Sequence, residues 1–114
     1  MKKSIQPDEN YFVDLQCDDL SSLESYLKSS GLEYRKTTTN LYSEGSKERQ
    51  GFDLVGSINQ LYKLVSDLMP NKSVRIITNN NGEINDISIN GYNKTDVIDI
   101  LKNAQRIYVN NKKI

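Results

Sequence analysis

The feature that most constrains this chain is an apolar stripe: Leu54, Ile58, Leu61, Val65 and Leu68 recur at alternating four- and three-residue steps up to Pro70. That spacing keeps one side of an α-helix apolar over several turns. Proline ends the run because its ring lacks the N–H and crowds the preceding turn. Asp53 or Ser57 can cap the start, and Tyr62 and Met69 widen the stripe. A helix with such a face has to bury it, and the next segments of the chain supply a surface. Residues 74–78 and 84–90 are rich in β-branched side chains and are joined by Asn79-Asn80-Asn81-Gly82-Glu83. Asn-Gly is a strong hairpin signal because both residues tolerate positive φ.

The flanking segments complete the expected pattern. Residues 11–17 alternate as a strand, with Tyr11, Val13, Leu15 and Cys17 on one side and Phe12, Asp14 and Gln16 on the other. A helix is expected over about 19–29, capped by Asp18 or by Ser21 with Glu24, carrying Leu20, Leu23 and Leu27, and stopped at Gly31. Residues 32–42 form a polar strand with no strong apolar side, which suits a sheet edge. Residues 43–51 contain no apolar side chain and are expected to form an exposed loop. After Gly91, Asn93 can cap a third helix with Asp96 in its first turn and Val97, Ile98, Leu101, Ala104 and Tyr108 on its apolar side, although residues 107–109 also suit a closing strand. The expected fold is therefore an α+β two-layer sandwich in the order β-α-β-α-β-β-α, three helices on one face of a small mixed or antiparallel sheet. The expected domain spans 11–109, between a flexible N-terminal tail at 1–10 and a C-terminal tail at 110–114.

Charge and residue types narrow the function. Fifteen basic residues balance fifteen acidic ones, whereas affinity for phosphate backbones needs a concentrated basic surface. Nucleic acid is therefore not an expected partner. No apolar run reaches the ~20 residues of a membrane span, and the N-terminus lacks the apolar core of a secretion signal, so the expected location is cytoplasmic. The chain has no histidine, which removes the commonest general base and excludes Ser-His-Asp and Cys-His catalysis within it. Cys17 is the single cysteine; placed at a strand end, it is expected to serve as a small hydrophobe. The glycines between 45 and 56 do not make a phosphate loop, since no Gly-Lys-Ser/Thr follows, and they read as a flexible connection. Asp14, Asp18 and Asp86 could serve a carboxylate-based metal-dependent hydrolase. The plainer reading gives them helix-capping and solvent-facing roles, with no metal and no cofactor.

Seven tyrosines without tryptophan suggest a contact surface, because tyrosine supplies a large area at small entropic cost. The expected partner-binding residues are Tyr34, Arg35, Tyr42, Tyr62 and Tyr92. The edge formed by 32–42 also offers unpaired backbone for sheet extension into a partner or a second copy, so a homodimer is a further expectation.

Residues 18–27, Asp-Asp-Leu-Ser-Ser-Leu-Glu-Ser-Tyr-Leu, carry an acidic start, a Leu-x-x-Leu step and an aromatic-Leu pair. A glycine-bearing connection from Gly51 to Gly56, an amphipathic helix, a strand, an Asn-Gly turn, a second strand and a last helix come after it in turn. In this the chain resembles the effector-associated constant component family of bacterial conflict systems. The resemblance implies a non-catalytic adaptor that docks to an effector or sensor protein. Together, these features lead to the expectation of a protein-interaction module of adaptor or toxin-neutralising immunity type in antiviral defence. The alternatives are a phage or mobile-element inhibitor of host defence, anti-CRISPR-like or a signal sponge, and the metal-dependent hydrolase.

Overall fold

The computed structural model describes residues 10–17, 23–40 and 48–111. Along the chain the elements are β1 (Tyr11–Cys17), α1 (Glu24–Ser30), β2 (Glu33–Asn40), β3 (Glu48–Gly56), α2 (Ile58–Leu68), β4 (Lys72–Asn80), β5 (Glu83–Ser88), α3 (Lys94–Leu101) and β6 (Ala104–Asn111). The fold is α+β, built on a six-stranded sheet of order β2-β3-β1-β6-β4-β5. Among the described residues only β1 and β6 pair in parallel; all other neighbours are antiparallel.

The expected order lacks two of these strands. Residues 48–56, read as the end of a loop and the start of a helix, form β3, and Leu54 belongs to that strand rather than to the helical stripe. Leu54 lies four residues before Ile58, so its place in the helical period is a coincidence of spacing. The helix itself starts at Ile58 behind Ser57, whose hydroxyl accepts from the Gln60 amide while the Gln60 side chain accepts from the Ser57 amide. This capping box settles the start that the stripe leaves open. Substituting Ser57→Ala should lower stability by about 1 kcal/mol, measured by urea unfolding. The third helix is also shorter than its apolar period suggests: Asn93 caps it through the Asp96 amide at 2.8 Å, but it ends at Leu101, and Ala104 and Tyr108 lie in β6, the closing strand that residues 107–109 suit. That strand reaches Asn111, two residues beyond the expected domain end at 109.

Other local signals hold. Gly31 stops α1 in the left-handed region at φ 81°, and the β4–β5 turn puts Asn81 and Gly82 at φ 52° and 88°. The expected caps Asp18 and Ser21, Leu20, and most of the 43–51 loop lie outside the described residues. The expected tail at 1–10 also lies outside them apart from Asn10.

The core follows from strand alternation. Val13, Leu15, Phe52, Leu54, Val74, Ile76, Ile107 and Val109 are buried, and register aligns them: Val13 with Leu54, Leu15 with Phe52 and with Ile107, and Ile76 with Ile107. They pack with Leu23, Leu27, Leu61, Leu64, Val65, Leu68, Val97 and Leu101 from the helices. Cys17 ends β1 half-buried against this cluster. Each helix joins two strands that run the same way: β1 to β2, β3 to β4 and β5 to β6. Among the described residues, no helix is long and apolar enough to cross a membrane.

Candidate functional site

On the sheet face opposite the core residues, register arranges the side chains in rows, two of which cross all six strands, while the third is interrupted where β4 and β6 change register after Ile77. The middle row reads Arg35, Asp53, Asp14, Arg106, Ile77 and Asp86 from β2 to β5. The row toward the start of β1 contains Glu33, Val55 and Phe12, and at the far end Asn79 and Ile84. The row on the other side is Thr37, Gly51, Gln16, Tyr108, Arg75 and Ser88.

Two of these side chains are apolar and largely in solvent: Phe12 is 76% exposed and Ile84 64%. Neither has a role in the core, since each occupies the outward phase of its strand. Beside them, in the other two rows, stands a polar lattice. The Arg106 Nε donates to Asp14 Oδ2 at 2.8 Å, which also accepts from Gln16 Nε2 at 3.2 Å. The Arg106 Nη1 reaches the Tyr108 hydroxyl at 3.2 Å. The Arg75 guanidinium lies 5.0 Å from the centre of the Tyr108 ring and pairs with Asp86 at 3.4 Å. Tyr108 is thus flanked by two arginines, each tied to its own carboxylate. The hydrogen bond to Tyr108 raises the pKa of Arg106, with Asp14 adding to the effect and burial opposing it, so this cation persists at any physiological pH.

The residues singled out from the sequence do not converge. Tyr34 lies on β2 in the phase of Leu54, with its ring edge-on to Phe52 at 5.6 Å and its hydroxyl 3.4 Å from Glu24. Arg35, its neighbour, points to the opposite face in register with Asp53. Tyr62 sits on α2 under the Lys94 ammonium, 5.2 Å from its ring. Tyr92 is 45% exposed in the connection before α3. Tyr42 and Asp18 lie outside the described residues. Asp14 and Asp86 share a row but are three strand spacings apart, about 14 Å, and each is paired with an arginine. The structure therefore does not bring them together as metal ligands, and among the described residues no group of three acidic or thiol side chains is placed to hold a metal ion.

Sequence reasoning overlooked Phe12, Arg75, Arg106 and Tyr108 as surface residues. A signal existed for Phe12, because alternation in 11–17 already placed it with Asp14 and Gln16. Tyr108 was hidden by its fit to the helical period of the preceding segment. No protein-family model, curated protein or solved structure matches this chain.

Proposed function

We propose that this chain is a non-enzymatic protein-interaction module, of adaptor or immunity type in a bacterial conflict system, and that it binds through the sheet face bearing Phe12. The observation that carries this reading is the exposure of Phe12 and Ile84 on the same face as the Arg75–Tyr108–Arg106 lattice. Aromatic residues and arginine are the types enriched at protein interfaces. Because the face mixes acidic and basic groups, with Asp53 and Asp14 side by side between Arg35 and Arg106, it offers no continuous cationic track for a phosphate backbone.

Topology supports an uncovered face. Strand β1 crosses to β2 in one direction along the sheet, and β5 crosses to β6 likewise; β3, which runs the opposite way, crosses to β4 in the reverse direction. Under the right-handed rule these three crossovers are equivalent by rotation in the plane of the sheet, so all three helices fall on one side. Their buried leucines and valines fit the core side, which leaves the Phe12 side for a partner.

The test is affinity capture from lysate of the native cells, comparing the wild-type chain with a Phe12→Ala, Ile84→Ala double variant. Truncating two exposed anchors should weaken capture of a specific partner about 30-fold or more, while the stability change stays within about 0.5 kcal/mol per site. By contrast, Tyr34→Ala should lower the melting temperature, because its ring packs on Phe52. Undiminished capture by the double variant would overturn the assignment of the face.

A further inference from the structure

We infer that the Phe12 face binds a second copy of this chain, giving a two-fold dimer in which two sheets pack face to face. This rests on the reading of that face as an interaction surface and names its occupant. The ground for it is charge complementarity of the face with itself. Consider a two-fold axis in the interface, running along the strands between β1 and β6, the two central strands of the sheet. The operation lays each row over the same row of the other copy in reversed strand order. Asp14 then meets Arg106 of the second copy, and Arg106 meets its Asp14. Because each copy already joins these two groups at 2.8 Å, the four charges close into a ring of alternating sign. Farther out in the middle row Arg35 faces Asp86 and Asp53 faces Ile77, so no like charges oppose one another.

The same axis accounts for the exposed aromatic side chain. Phe12 lies on β1, one row from the ring, and the operation brings the two copies of Phe12 side by side across the axis. Packed together, they remove from water the most exposed large hydrophobic side chain among the described residues. Aligned sheets cross at about 30°, which fans the outer strands apart. The complementarity is therefore carried by β1 and β6, where the displacement is smallest. Six strands about 4.8 Å apart and three rows about 7 Å apart give about 600 Å² per copy. With the outer strands splayed, the total of roughly 1,200 Å² is an upper figure, at or below the lower limit for a specific interface, so the dimer should be weak and reversible.

The experiment is sedimentation of the full chain over a wide concentration range, for wild type, Asp14→Lys, Arg106→Asp, an equimolar mixture of those two, and Phe12→Glu. Wild type should pass from monomer to dimer as concentration rises. Each charge reversal alone should weaken the dimer at least tenfold, because like charges then meet across the axis. The mixture should restore it, since the introduced cation of one chain faces the introduced anion of the other. Phe12→Glu makes no change within the fold's core, so it tests the same interface even where a charge reversal lowers thermal stability; it should weaken the dimer at least tenfold by opposing two carboxylates. Wild type that stays monomeric throughout overturns the inference, while capture with the Phe12→Ala, Ile84→Ala variant still decides whether the face binds another protein. A dimer whose affinity none of the variants changes also overturns it, placing the contact elsewhere, such as the β2 or β5 edge.

Discussion

Replacing Asn90 with aspartate should destabilise the fold by about 3 kcal/mol at neutral pH, enough to lower the melting temperature by roughly 10 °C or more. Asn90 is a half-buried clamp between three segments of the chain. Its Oδ1 accepts from the Val74 amide at 2.9 Å, and its Nδ2 donates to the carbonyls of Met69 at 3.1 Å and Lys72 at 2.9 Å. One side chain thereby ties the segment after β5 to the end of α2 and the start of β4. Aspartate retains the acceptor but loses both donors and turns a carboxylate toward two carbonyl oxygens. That arrangement should raise the pKa of the introduced group in the folded state, so that folding takes up a proton at pH values between the unfolded and folded pKa. The loss should accordingly shrink as the pH falls through that raised value, where the protonated carboxyl regains one donor. Asn90→Ala lacks this pH dependence, because it introduces no titrating group and leaves the Val74 amide without its acceptor and the Met69 and Lys72 carbonyls without this donor. Thermal melts of both variants across pH 4–8 check the expectation, and a neutral effect of both substitutions would show that the clamp contributes nothing.

Gly51→Ala should destabilise by about 2–3 kcal/mol, measured by urea unfolding with the slope as a check on two-state behaviour. A methyl group built on Gly51 overlaps the carbonyl oxygen of Leu15. The obstacle is backbone, and Leu15 itself is fully buried and pairs with Phe52 on one side and Ile107 on the other. Relief therefore requires β3 to move off β1 in the interior of the sheet, where no flexible side chain can yield instead. Stability equal to wild type would mean that these two strands separate more readily than their packing indicates.

Gly51 shows why part of this fold was hidden. It lies among glycines and polar residues that read as a connection, because glycine's conformational freedom is the usual mark of a turn. Its actual role, close approach of two strands, is set by a partner strand far away in sequence. The same cause left β6 undecided: residues 104–108 continue the helical period of α3 while 107–109 also suit a closing strand, and pairing with β1 and β4 draws the whole segment into the sheet. The candidate surface was legible in Phe12, Asp14 and Gln16 through strand alternation, and Arg35, expected to bind a partner, lies on the same face. Arg106, Tyr108 and Arg75 come from β6 and β4, so their meeting with Asp14 depended on a strand order that no local pattern encodes. The tyrosines favoured on composition were dispersed for a related reason, since Tyr34 sits in the core phase of its strand and Arg35 beside it does not.

By itself the sequence determined the elements whose physics is local. The α2 stripe ends at its proline, the Asn81-Gly82 turn takes positive φ, Gly31 stops α1, Asn93 caps α3, and alternation sorts β1 into two sides. Those choices depend on backbone sterics and hydrogen bonds within a few residues. The tertiary structure decided that segment 48–56 is a strand, that 104–111 is one too rather than the end of a helix, that β1 and β6 lie together at the centre, and that Phe12 shares a face with paired arginines and carboxylates. The reason is energetic: a strand satisfies its backbone hydrogen bonds only through distant partners, so its identity is fixed by pairing and burial rather than by its own residues.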